Sequence, residues 1–341
     1  MRNVGGENYG TIMADPNHEF VTKIEVNGVE YEQSEIFSCE TDRAMFDKNM
    51  EIGKAVSAQI DVSMVNPDPS TNPNAGPVPS MARVIPYVKA TAEIVSSTTA
   101  SIEDGILDLG SEATIENDII VFGSNVNFSG DYIMFGEGIL ESEWIKMGVF
   151  YIDTRQVTHN RDGLDVLTFH GYDRMLFASE QFSDNSDGAN GPAYTAAINK
   201  YRKYYEAVHG SPPEDYSWPA DGISDAIMVE AIASVLGSGF DGSGVPVDAR
   251  TWDTMLDGVS GSSVAEKMLN GNYKMFVPIG YTYREILGYI ASPYVGSFLI
   301  TEEEELRLVT YVELPQETYF LVDESGNTIF VGGFRIKLSP D

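Results

Sequence analysis

Cysteine is almost missing. Cys39 is the single one in 341 residues, which excludes an internal disulfide framework and any zinc site built on clustered cysteines. In the setting Ile36-Phe37-Ser38-Cys39 it reads as a small buried apolar residue rather than a reactive thiol. Basic residues are also scarce: 21 Lys and Arg stand against 52 Asp and Glu, a formal charge of −31. A field of that sign repels phosphate backbones and anionic membranes, so DNA binding by charge neutralisation is not expected. No apolar run approaches the roughly 18–20 residues that a bilayer-spanning helix needs. Residues 1–15 lack an apolar stretch behind a charged one, so no signal peptide is expected and the product should stay soluble where it is made.

Catalytic signatures are missing too. Four histidines, His18, His159, His170 and His209, are scattered, and none falls in a His-Glu-x-x-His pattern. There is no Gly-x-Ser-x-Gly elbow, no glycine-rich phosphate loop ending in Lys-Ser/Thr, and no cysteine nucleophile with His and Asn behind it. Gly237-Ser238-Gly239-Phe240-Asp241-Gly242 matches Gly-x-Gly-x-x-Gly but follows a predicted helix rather than a strand, so it reads as a flexible loop. In so acidic a chain, paired carboxylates for glycoside cleavage stay open, with no pair singled out. No catalytic, cofactor-binding or metal-binding residue is therefore assigned, and no cofactor is expected.

What is present is mostly β structure around a helical stretch. At 43% hydrophobic content the chain can build more than one core, since single cores stop growing near about 250–300 residues. Residues 1–18, rich in glycine and asparagine, read as a mobile or docking arm. Residues 19–65 alternate in strand fashion, with Asn27-Gly28 as a type I′ hairpin signal. Five prolines between residues 66 and 80 exclude a central strand and predict an extended loop. Residues 95–141 carry a loose repeat: Asp104 to Gly110, Asp118 to Gly123 and Asp131 to Gly136 each form a short β run closed by glycine, about 13–14 residues apart. Such units need to stack to bury their apolar side, so an inserted β arm is expected. The glycine-aspartate nonapeptide of calcium-binding repeats is missing.

Helices are predicted over 193–209, with Ile198, Tyr201, Tyr205 and Val208 on one face, and over 224–236, closed by Gly237. A third starts at a Ser263/Glu266 capping box, and a fourth is capped by Thr282 with Glu285 and ended by Pro293. The aromatic set Tyr194, Tyr201, Tyr204, Tyr205, Tyr216 and Trp218 reads as packing rather than sugar stacking. Strands follow near 297–301, 306–312, 318–323 and 328–337, with a turn at Glu324-Ser325-Gly326-Asn327. Glu302-Glu303-Glu304-Glu305 reads as solvated charge, because hard cations need ligands at shaped spacings rather than a run.

Two segments carry a resemblance: Gly148-Val149-Phe150-Tyr151-Ile152-Asp153-Thr154 and, past the polar turn at 159–163, His170-Gly171-Tyr172-Asp173 leading into a short helix. They are similar to paired strands in the ring domain of hub proteins at the tail tip or baseplate of long-tailed bacteriophages. Residues 52–62 and 79–88 resemble the two strands that precede this pair, and 281–291, 296–301 and 306–309 resemble the helix and hairpin that open the family's second ring domain. About two thirds of the chain is covered. Residues 95–141 depart from the pattern, in which the core strands lie closer together.

The resemblance implies a mainly β fold with an α insertion, an α+β chain. The implied domains are an N-terminal arm at 1–18, a first tube-like β domain at 19–180 and a helical insertion at 181–277. A second tube-like β domain at 278–341 follows, truncated here or completed by a neighbouring chain. It implies a structural, non-enzymatic homotrimer in the virion that extends or closes the tail tube. Implied partners are the tail tube or distal tail protein, the tape-measure protein, and fibres or receptor-binding proteins, with DNA passing without specific binding. Two intervals without Lys or Arg, between Lys89 and Lys146 and between Lys203 and Arg250, fit either solvated outer faces or a negatively charged conduit. A receptor- or glycan-binding tail protein and a tail-associated cell-wall hydrolase are the rival readings.

Overall fold

The computed structural model describes residues 9–14, 16–42, 53–66, 78, 81–94, 101–103, 106–108, 113–116, 119–122, 127–129, 132–134, 138–159, 165–183, 191–215, 217–311, 319–320, 330–331, 334–335 and 337–338. Most of the proline-rich stretch, the polar turn after His159, Tyr216 and the turn at 324–327 lie outside them. The fold is α+β with mostly antiparallel strand pairing. Two compact units are formed: unit 1 of Met1–Arg43, Ala58–Arg174 and Glu302–Glu304, and unit 2 of Ala44–Ser57, Met175–Thr301 and Glu305–Asp341.

Unit 1 holds a nine-stranded sheet. Its main strands are β1 (Glu19–Val26), β2 (Val29–Tyr31), β3 (Ile36–Asp42), β4 (Gln59–Val65), β5 (Arg83–Ile94), β6 (Phe150–His159) and β7 (Asp165–Tyr172), in the spatial order β2-β1-β5-β6-β7-β4-β3. The β1–β2 turn is made by Asn27 and Gly28 at φ 50° and 83°, as a type I′ turn requires. The Asn27 side chain accepts from Arg83 N at 3.0 Å, which ties the turn to the start of β5.

One edge of β5 is covered in three pieces: Phe150 and Tyr151, then Ile145–Lys146, then Gly138–Glu141. Pro86 falls at the break between the first two, the place where a strand tolerates a missing N–H donor. The stretch from Ser142 to Thr154 is thus not one continuous strand. Near the start of the chain, a short helix at Tyr9–Ala14 seats the fully buried Ile12 against Ala90 and Ala92, so this part of the expected arm is docked rather than free.

Three two-stranded hairpins follow β5, pairing 101–103 with 106–108, 113–116 with 119–122, and 127–129 with 132–134. The second strands start at Ile106, Ile119 and Tyr132, so the repeat seen in the sequence is a repeat of hairpins. The two residues between the strands of each pair lie outside the described residues.

Unit 2 is built on helices α1 (Pro192–His209), α2 (Asp225–Val235), α3 (Ala249–Met255), α4 (Val264–Asn270) and α5 (Tyr283–Ala291), with a hairpin of β8 (Gly296–Ile300) and β9 (Leu306–Thr310). Residues 225–229 and 231–233 of α2 are all buried, so this helix forms the centre of the unit rather than its surface. Its start is fixed by the Ser224 hydroxyl, which accepts from Ile227 N at 3.3 Å. The Thr282/Glu285 box forms in full at α5. At α4 only half of the expected box forms: Ser263 accepts from Glu266 N, while the Glu266 carboxylate turns to the backbone N and hydroxyl of Ser262.

Candidate functional site

The strand pair that carries the resemblance lies at the centre of the unit 1 sheet. Alternation along β4, β6 and β7 sends Ile60, Val62, Met64, Phe150, Ile152, Leu167 and Phe169 to one face, each at most 3% exposed. The other face is polar because side chains alternate with a period of two. Across it run two rows set by register: Glu40, Asp61, His170 and Thr154, then Ser38, Ser63, Thr168 and Gln156. Asp42, Gln59 and Tyr172 continue the pattern one pair further along. The rows line a shallow groove of about 460 Å³.

On this face His170 Nδ1 lies 2.8 Å from Asp61 Oδ1, and Tyr172 meets the imidazole edge-on at 4.7 Å between ring centres. Register puts Glu40 next to Asp61. With Asp42, three carboxylates therefore share the face with one imidazole, and Arg155 lies at the groove. Such a surface attracts cations and repels polyanions, and it offers hydroxyl, amide and carboxylate groups to water or to another chain.

The His170-Gly171-Tyr172-Asp173-Arg174 run is accounted for residue by residue. A Cβ on Gly171 would stand 2.7 Å from the Tyr151 carbonyl oxygen, so only glycine lets β6 and β7 approach at this register. Asp173, 3% exposed, accepts from Ala58 N at 2.9 Å and donates its own N–H to Ala58 O at 3.0 Å. Arg174 donates from Nε to Tyr151 Oη at 3.1 Å and to Glu304 Oε1 at 3.2 Å. These are structural uses.

Glu304 corrects the reading of 302–305 as solvated charge. It accepts from Tyr151 Oη at 2.7 Å and pairs with Arg174 and Arg83, both at 3.2 Å. Its side chain is 18% exposed and that of Arg174 6%. Burial alone would raise this carboxyl, but the hydrogen bonds from Tyr151 and Arg174 and the charges of Arg174 and Arg83 hold it below the ordinary glutamate value. Burial, then the bond to Glu304, pushes the Tyr151 hydroxyl up to about 12. Glu303 pairs with Lys146 at 3.2 Å.

The remaining sequence candidates are dispersed. His18 meets Phe20 and His209 stacks near Tyr205, at 5.3 and 4.2 Å between ring centres. The Cys39 thiol packs against the unit 1 core, and burial pushes it up to about 11. Tyr194 stacks on Trp218, and with Tyr201, Tyr204 and Tyr205 these rings pack against the unit 2 core. Among the described residues no group of three or more His, Cys, Asp and Glu is placed to hold a metal ion. No helix among them is long and apolar enough to cross a membrane.

No protein-family profile and no curated protein matches the chain. Six solved protein chains match it. One is the 43 kDa tail protein of prophage MuSo2 from Shewanella oneidensis, at 10% identity and a TM-score of 0.38, covering 87% of this chain and 57% of that one. The present chain thus spans little more than half the length of that protein.

Proposed function

We propose that this chain is a structural subunit of a bacteriophage tail, the hub at its tip or baseplate, where it forms part of a ring that extends or closes the tail tube. The observation that carries the reading is the pairing of β6 with β7. The two segments that resemble the hub strands lie side by side from Tyr151↔Tyr172 to His159↔Asp165, with further strands on both sides. One face of that sheet is sealed by a core and the other is polar, which suits a wall between protein and a water-filled channel. In this reading Glu40, Asp42 and Asp61 belong to the channel side, where carboxylates let a polyanion slide past without the phosphate contacts that lysine or arginine would make.

The ring is a homotrimer whose two tube-like domains per chain give six similar positions under a sixfold tube. Its neighbours are the tail tube or distal tail protein, the tape-measure protein, and fibres or receptor-binding proteins, and its place is the virion. No residue is assigned a catalytic role. Light scattering on the purified chain together with images of the particle tests the proposal: a trimer and a threefold ring with an axial hole are expected. A monomer at high concentration with no such ring would sink it.

A further inference from the structure

Unit 2 contains a groove of about 710 Å³, within the size range of small-ligand sites. Four helices build it. Lys200 and Tyr204 stand one turn apart on α1, and Glu230 comes from α2. Trp252 and Asp253 lie on α3, with Leu256 and Asp257 one turn on, while α4 adds Lys267 and Met268. These spacings of three and four residues place each set on one side of its helix.

The polar groups are of two kinds. Glu230 is already held in place, accepting from Lys200 Nζ and from Tyr204 Oη, each at 2.8 Å. Burial, then the bond to Glu230, raises the Tyr204 hydroxyl above its ordinary value, so it remains a donor. Asp253, Asp257, Lys267 and the Trp252 indole N–H instead make no side-chain hydrogen bond among the described residues, and both aspartates are exposed. The groove therefore pairs a half-buried indole with oriented and unused hydrogen-bonding groups.

The chemistry narrows the ligand. Three carboxylates against two ammonium groups give the lining no net positive charge, and the chain carries −31 overall, so a polyanion is disfavoured. A purely apolar ligand would strip water from Asp253, Asp257 and Lys267 without replacing their hydrogen bonds, which is costly. A polyhydroxylated neutral molecule meets both demands. Its C–H face stacks on the indole, and its hydroxyls donate to carboxylates and accept from ammonium groups. We propose that this groove binds an uncharged oligosaccharide, either free or as a stretch of a bacterial surface polysaccharide. The inference stands independently of the hub reading.

The test uses the full chain on an array of immobilised neutral and anionic glycans, followed by saturation-transfer NMR with the corresponding free trisaccharide. Binding to neutral glycans is expected. Transfer to the free trisaccharide indicates a site for short sugars, and array binding without it indicates a polymer; either supports the proposal. Trp252→Ala should weaken binding about tenfold or more, as loss of a central aromatic anchor does. Because Trp252 also packs against the core, the exposed pair Asp253→Asn with Asp257→Asn is the second arm, expected to weaken binding severalfold with an unchanged circular dichroism spectrum. Absence of binding to every neutral glycan, preference for anionic ones, or full binding by the double variant would overturn the proposal.

Discussion

Strand β7 and helix α2 dispose of their side chains in opposite ways. Along β7, Leu167 and Phe169 are buried while Thr168 and His170 on the other face stay partly open. Along α2 nearly every residue is buried, Asp225 included, and Glu230 is the main polar exception. A sheet of this kind contributes to stability with one face and leaves the other free for a different task, whereas a central helix commits its whole surface to the core. The difference tells where substitutions should matter for folding and where they should matter for assembly.

The largest expected effects test the core assignment in both units. Phe150→Ala, at a fully buried position of β6, should cost about 4 kcal/mol, and Ile232→Ala in α2 about 3 kcal/mol, through lost transfer energy and the cavity left behind. Both positions are 0% exposed. Chemical denaturation of each variant measures this, and a cost near zero at Phe150 would break the division of the sheet into a core face and an open face.

A smaller effect is expected at Glu304. Glu304→Gln removes the anion from Arg174, whose side chain is 6% exposed. Breaking a buried ion pair costs about 3–5 kcal/mol, reduced here to about 2 kcal/mol because Glu304 and Arg83 still reach water. Folding lowers this carboxyl below the ordinary glutamate value of 4.5. Its contribution is therefore present above that value and is lost as pH falls through the lower, folded one. The glutamine variant should lose part of the acid-side slope of the stability curve, and an identical slope in both proteins would remove Glu304 from the account.

This pair also shows which features the sequence could reveal. The Asn27-Gly28 turn, the Thr282/Glu285 box and the helix that starts after Ser224 rest on partners within four residues, so local pattern was enough. Glu304 takes its partners from Arg174 and Tyr151, 130 and 153 residues away, and a run of four glutamates gives no hint of which one is buried. His170 and Asp61 are 109 residues apart. The hairpin repeat was legible as a spacing of about 13–14 residues because each short β run in the sequence is closed by a glycine, at Gly110, Gly123 and Gly136. In the saccharide-site candidate, Trp252 and Asp253 lie on α3, a helix the sequence analysis did not predict, and Leu256 and Asp257 just past its end. The other walls come from three more helices, and nothing in the linear order announces that they meet.

The smallest expected effect on folding sharpens the comparison furthest. Asp61 lies on the open face of β4 with a side chain 67% exposed, paired across the surface with His170. Asp61→Lys should therefore change the stability of the isolated chain by no more than about 0.5 kcal/mol, the usual range for substitutions away from cores and caps. If this face lines a channel, the same substitution places a ring of ammonium groups where DNA must pass, and each can form a phosphate contact that retards the polymer. Particles carrying the variant should assemble and adsorb normally but eject DNA more slowly, with the delay shrinking as salt is raised because the added contacts are screened. A delay that ignores salt, or none at all in fully assembled particles, would mean that the polar face of unit 1 points somewhere other than the path of the DNA.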